Sequence, residues 1–203
     1  FHIVVEDNGP GIVKKQIPNI FGKLLYGSKF HSLKQSRGQQ GIGISAAVLY
    51  GQLTTGRTAK IRSRISPRYP ANMVELKINT KNNEPTVTKE GEVEWKKEHG
   101  TRFEIDLKGS YQKGSQSVDE YLKQTAITNP HVTIIYTNPK AEQQIFARMS
   151  EDIPPQAKEI KPHPYGVEIG RMIKMLEHSE AASLQQFLME EFCRVGRGSA
   201  KEI

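Results

Sequence analysis

Two short stretches carry the residues whose types and spacing could do chemistry. Val5–Ile12 reads Val-Glu-Asp-Asn-Gly-Pro-Gly-Ile, a β-rich run ending in one carboxylate, Asp7, with Gly9 and Gly11 close behind. A carboxylate at a strand end can accept a hydrogen bond from an exocyclic amine, and bare glycines let a flat ring approach the backbone. Because an unmatched polar group in such a pocket is costly, the contact would prefer adenine to guanine. The second stretch, Ser36–Ala47, is a glycine cluster opening an apolar segment. Gly38, Gly41 and Gly43 stand where a loop becomes a helix, so free N–H groups and the helix dipole would converge on phosphate. Between the two, Ser28 and Lys29 add a hydroxyl and a positive charge. Each stretch also has an ordinary reading: Asp-Asn-Gly spells a hairpin turn, and clustered glycines can be a hinge. The second cluster is neither a Walker A motif nor a dinucleotide fingerprint. The histidines show no metal-ligand spacing, and no metal site is expected within the chain.

The elements that must position these residues follow from pattern and punctuation. His2–Glu6 alternates as a strand, Val13–Phe21 is a short amphipathic segment, and Gly22–Gln40 reads as a loop or lid. Gly41–Gln52 reads as a helix whose small residues would let it lie close to a sheet. Strands are expected at Ala59–Ile65, Met73–Asn79, Thr86–Trp95 and Thr101–Leu107, separated by Pro, Asn-Asn and His-Gly turns. A Ser117…Glu120 capping box opens a helix over Val118–Ile127, and two further strands are expected at His131–Thr137 and Gln144–Met149. Four prolines within Ser150–Tyr165 mark a stiff linker. Beyond it, Gly166–Glu177 and Ser183–Arg194 read as helices. The expected domains are residues 1–149, a linker over 150–165, and the beginning of a helical module over 166–203.

With 203 residues the chain can hold one sizeable core plus a small appended module. A net charge of +7 and a pI near 9.4 suit a polyanionic partner without demanding one. Arg57, Lys60, Arg62, Arg64 and Arg68 alternate along a strand; they either solvate a sheet face or meet DNA. The lone Cys193 excludes an internal disulfide framework and reads as a small core residue in an apolar helix. His163, between two prolines, reads as a packing residue. The apolar runs are too short to span a bilayer, so no membrane partner is expected. Phe1 opens inside a strand, and a Ser199…Glu202 capping box announces a helix at the other end; a fragment of a longer protein is expected.

The Asp-x-Gly-x-Gly of Asp7–Gly11, the Gly-Gln-Gln-Gly-Ile-Gly-Ile-Ser-Ala-Ala of Gly38–Ala47, and Gly100-Thr101-x-Phe103 resemble three motifs of the Bergerat-fold ATPases. That superfamily includes gyrase B, MutL and sensor histidine kinases. Ile20–Phe30, Ala46–Gln52 and Lys161–Gly166 narrow the resemblance to the B subunits of DNA topoisomerase VI, a type IIB topoisomerase of archaea with plant and other relatives. It runs through nearly the whole chain.

The resemblance implies an α+β fold, a two-layer sandwich with a mixed sheet, followed by the start of a helix-two-turn-helix module. It implies ATP and Mg²⁺ as cofactors. Asp7 would bind the adenine amine, with Gly9 and Gly11 beside the base and Thr101 supporting the aspartate from a neighbouring strand. Ser28 and Lys29 would be lid contacts, and Gly38 to Ser45 would wrap the phosphates. No catalytic residue is expected in the chain: the general-base glutamate and the Mg²⁺-binding asparagine belong to a helix ahead of the Asp7 strand. A lysine found at the Ser45 position in some members is absent. Glu6 is excluded as a base because strand alternation turns it away. In the parent enzyme, ATP would dimerise two B subunits around double-stranded DNA while two A subunits cleave a second duplex, in the cytoplasm and at the nucleoid. The isolated segment is expected to hydrolyse ATP weakly or not at all. Two rival readings are a MutL- or gyrase-like ATPase, against which Lys161–Gly166 argues, and a non-catalytic nucleotide- or DNA-binding module.

Overall fold

In the computed structural model, residues 1–27, 34, 38 and 40–203 are described. They divide into two compact units, one ending at Pro154 and one comprising Pro155–Ile203 with residue 34.

The first unit is built on five strands: β1 (His2–Glu6), β2 (Ala59–Arg64), β3 (Ala71–Asn79), β4 (Glu84–Val93) and β5 (Gly100–Asp106). Their order is β1-β5-β2-β3-β4. Alternation puts one row of side chains on one face: Val5, Phe103, Ile61 and Val74 are direct neighbours across four strands. Over that face lie α1 (Ile17–Gly22) and α2 (Gly43–Thr55). Ile17, Phe21 and Val48 of these helices join Ile61, Val74, Leu76, Ile78, Phe103 and Ile105 in one core, and Phe21 stacks on Phe103 at 5.3 Å. Small residues set the spacing of the layers. A Cβ on Gly51 of α2 would lie 2.8 Å from the Asp106 carbonyl oxygen. Gln52 ties the same helix to β3, donating to the Ile78 carbonyl at 3.0 Å and accepting from the Ile78 amide at 2.8 Å.

The two-layer α+β reading stands, but the sheet is antiparallel at every pairing among the described residues rather than mixed. The helical crossover from β1 to β2 does join two strands of the same direction. β5 enters between them, antiparallel to both, so no parallel pair forms. The unit continues with α3 (Val118–Thr128), capped as expected by Ser117, which accepts from the Glu120 amide. A hairpin of β6 (Ile134–Thr137) and β7 (Gln143–Phe146) follows. Both strands are shorter than their apolar runs, and beyond them the Met149 and Ser150 amides donate to the Pro130 carbonyl.

The second unit holds α4 (Ile169–His178), α5 (Leu184–Glu191) and the four-residue α6 (Ser199–Glu202). Its core is Phe187, Leu188, Phe192 and Ala200, with Met172 and Met175 of α4 packed against it. Ser183 caps α5 as its sequence predicts. The helix nevertheless stops at Glu191, three residues early, as the backbone turns extended at Phe192. That turn sets the Phe192 ring edge-on to Phe187 at 5.7 Å. Cys193 therefore sits, part-buried, in a turn rather than in a helix. Ser199 is the first residue of α6 rather than its cap, a place taken by Gly198. His163 stacks on Tyr165 at 5.5 Å and accepts from its amide.

Candidate nucleotide site

β1 ends at Glu6, and the next residue is held from two sides. Asp7 Oδ1 accepts from the Gly9 amide at 2.8 Å and from the Thr101 amide at 3.1 Å, while the Asp7 amide donates to the Thr101 carbonyl at 2.9 Å. Thr101 thus holds Asp7 from the neighbouring strand through its backbone. One carboxylate oxygen is consumed in fixing the side chain. The other has no partner among the described residues, and Asp7 is exposed.

The glycines act by close approach. Gly11 has φ +71, and a Cβ there would lie 2.1 Å from the Arg64 carbonyl oxygen. Gly100, at φ +132, brings its Cα against the Asp7 carbonyl, which a Cβ would meet at 2.2 Å. Ser63, fully buried in β2, joins the pieces. Its Oγ accepts from the Ile12 amide at 2.8 Å, donates to the Gly100 carbonyl at 3.0 Å, and lies 3.0 Å from Thr101 Oγ1. His99 adds a ring N–H to the Gly9 carbonyl at 2.8 Å. Sequence reasoning misses both Ser63 and His99; a serine inside Arg-Ser-Arg and a histidine before a turn glycine carry no local signal.

The second predicted group lies at the start of α2. Gly41 has φ +66, its carbonyl accepts from the Leu25 amide at 3.0 Å, and a Cβ would meet the Tyr26 carbonyl oxygen at 2.3 Å. Ile42 is the N-terminal flanking residue and offers no side-chain cap; the first intrahelical bond runs from the Ala46 amide to the Ile42 carbonyl. The amides of Gly43, Ile44 and Ser45 precede that bond and have no intrahelical acceptor. Ser45 contributes only backbone here, because its side chain is buried and donates to the Ile42 carbonyl at 3.3 Å. Ile44 likewise turns its side chain to the core. Gly38 and Gln40 are exposed. Ser28, Lys29 and Gln39 lie outside the described residues.

The opposite face of the sheet is a charge lattice. Glu6 pairs with Lys97 at 2.7 Å and Arg102 at 3.1 Å, and Arg102 also holds Glu104 at 2.7 Å. Glu6 is therefore engaged on the face away from the core. The Lys97 ammonium first, and then Arg102, hold the Glu6 carboxyl below the usual carboxylate range; Arg102 does the same for Glu104, and Arg57 with His2 for Asp106. A depressed folded-state pKa contributes stability above the unfolded pKa and loses it as pH falls through the folded one. The melting temperature is expected to fall as pH drops below the ordinary carboxylate range, and Glu6→Gln should flatten that acid slope. An unchanged slope in scanning calorimetry would remove Glu6 from the account.

Three members of the basic run, Arg57, Lys60 and Arg64, meet partners within this segment. Arg64 spends its guanidinium on five carbonyls, those of Ser66, Pro67, Tyr69, Trp95 and Lys97. Arg57 pairs with Asp106 and Lys60 approaches Glu75 at 4.0 Å. A concavity of about 720 Å³ beside this cluster is lined by Arg64, Glu92 and Trp95 among others, and Asp7 does not line it.

Fold and site together define a two-layer α+β domain with a strand-end carboxylate fixed by backbone amides and glycines. No family model matches the chain. Curated relatives do. The chain is 52% identical over 202 residues to the B subunit of type 2 DNA topoisomerase 6 from Methanosarcina mazei, covering 99% of this chain and 32% of that protein. It is 52% identical over 204 residues to the same protein of Archaeoglobus fulgidus, covering 100% and 34%, and 48% identical over 208 residues to that of Halobacterium salinarum, covering 100% and 26%. Similarity to the B subunits of DNA topoisomerase VI thus runs through the whole chain, which spans about a third or less of the length of these curated relatives. Among solved structures, a topoisomerase IV ATP-binding domain of Francisella tularensis, in complex with a small-molecule inhibitor, matches with a TM-score of 0.44 and 20% identity over 71% of this chain and 39% of that one.

Proposed function

We propose that this segment is the nucleotide-binding part of an ATP-operated clamp, and that the full-length protein is the ATP-binding half of a type IIB DNA topoisomerase. The observation that carries the reading is the fixed carboxylate. Asp7 Oδ1 is tied to two backbone amides, which leaves its second oxygen as a preset acceptor for the adenine amine. Gly9 and Gly11 flank the base. The uncapped start of α2, with the cramped Gly41 ahead of it, supplies amides and a positive dipole end for phosphate. Gly38, Gln39, Gln40, Ile42, Gly43, Ile44 and Ser45 complete that loop, and Ser28 and Lys29 close on the nucleotide.

ATP fits these residues. For Mg²⁺ the described residues offer no cluster of three His, Cys, Asp or Glu side chains. By resemblance, its asparagine ligand and the general-base glutamate belong to a helix ahead of β1. The chain's own residues bind and orient the nucleotide and take no part in proton transfer. ATP binding then favours the closed B–B dimer over the open form. The dimer encircles double-stranded DNA, and the topoisomerase VI A subunit cleaves DNA within an A₂B₂ assembly in the cytoplasm, at the nucleoid. The domain division behind this reading is residues 1–149, a linker over 150–165, and a helical module from 166. Among the described residues no helix is long and apolar enough to cross a membrane.

The test is sedimentation velocity of the full-length protein with and without a non-hydrolysable ATP analogue. A shift from monomer to dimer on adding the analogue is expected. Binding to DNA that weakens steeply with salt but ignores nucleotide would replace the clamp with a plain DNA-binding module.

A further inference from the structure

The hydroxyl hub beneath the site has a proton inventory that closes in only one way. Ser63 Oγ carries one proton, and the Gly100 carbonyl 3.0 Å away can only accept, so that proton goes to Gly100. One Ser63 lone pair takes the Ile12 amide at 2.8 Å. The remaining contact, 3.0 Å to Thr101 Oγ1, must then run from Thr101 to Ser63. Ser63 is saturated: two bonds accepted, one donated. Thr101 has spent its only hydroxyl proton inward and keeps lone pairs alone for any further partner.

We propose that Ser63 is a specificity-determining positioning residue, which locks the Thr101 hydroxyl as an acceptor and so makes the base end of the site an all-acceptor wall. The inference rests on the nucleotide reading above and deepens it. The free oxygen of Asp7 is an acceptor, and the residue whose amide fixes Asp7 is the one whose hydroxyl Ser63 polarises. A purine with a 6-amino group brings donors to such a wall. A 6-oxo purine brings an acceptor at that position, which finds no proton there, and a polar group left unmatched against the bound base costs affinity. Burial makes the lock firm: Ser63 is 0% and Thr101 9% exposed, so water is poorly placed to supply a substitute proton. Ser63 does not touch the nucleotide in this account; it acts through Thr101.

ATP and ITP, which differ at the six-position and its neighbouring ring nitrogen, are the probes. With the full-length protein, calorimetric titration is expected to give ATP an affinity at least about a hundredfold above that of ITP. In Ser63→Ala the Thr101 proton is released and can turn outward to a 6-oxo group. The ATP-to-ITP ratio should then fall at least about tenfold. A merely structural role would weaken both ligands together and leave the ratio alone. Thr101→Val, which deletes the hydroxyl but keeps a branched side chain, should also collapse the ratio; it decides the matter if the Ser63 variant does not fold. A ratio unchanged in either folded variant overturns the assignment while leaving ATP binding intact. Failure of the unmodified protein to bind ATP at all would overturn the nucleotide reading and this inference with it.

Discussion

Asp7→Asn is expected to lower ATP affinity at least about a hundredfold and to shift base preference toward 6-oxo purines. The reason is the occupancy of the first carboxylate oxygen. Because Oδ1 accepts from the Gly9 and Thr101 amides at 2.8 and 3.1 Å, the asparagine oxygen must take that place. Its NH₂ then faces the ligand. A donor meets the donor of adenine, and the near-isosteric change becomes a mismatch rather than a mere loss of charge. Calorimetric titration of the full-length variant with ATP and ITP reads both halves. Retained ATP affinity would mean that Asp7 does not read the base. The variant should fold, since the two amides keep their acceptor.

The second large effect is expected at Gly100. Alanine there must adopt φ +132 and place its Cβ 2.2 Å from the Asp7 carbonyl oxygen. Backbone strain alone costs about 1–3 kcal/mol, and a clash between backbone groups adds to it. A loss of about 3 kcal/mol or more should lower the melting temperature by roughly 6–12 °C and abolish nucleotide binding. Gly114→Ala supplies the control. It has nearly the same dihedral, φ +141, but nothing within 4 Å of the new Cβ. It should show the strain alone and bind ATP normally. Equal melting shifts in the two variants would show that close approach to Asp7 contributes nothing.

How much of the fold and site is legible in the sequence depends on the distance over which the information acts. Asp7, Gly9, Gly11 and the start of α2 are readable because a turn and a helix opening are written in adjacent residues. The cap at Ser117 is readable for the same reason. Ser63 is not, since its partners lie 37 to 51 residues away and it looks like any strand serine. Alternation assigns Arg64 to a face of the sheet but says nothing of the five carbonyls gathered there by two turns. The antiparallel sheet escapes in the same way. Strand positions are visible, whereas the entry of β5 between β1 and β2 is a fact of pairing. Phe192 shows the limit within a helix: propensity carries the pattern on, and burial of one ring against Phe187 ends it.

The placement of β5 has a consequence for the order of events during synthesis. Asp7 is made well before its anchor, because the amide that fixes it belongs to a residue 94 positions later. Among the described strands β1 pairs only with β5, so its register is set only when β5 arrives. Long-range pairing of this kind comes late in folding, after local helices and hairpins have formed. The base pocket is thus among the last features of the sheet to be completed, although its signature residue emerges ahead of every strand that must hold it. Nucleotide capture by this segment should therefore report that the whole sheet has closed, and a nascent chain halted before Thr101 should bind none.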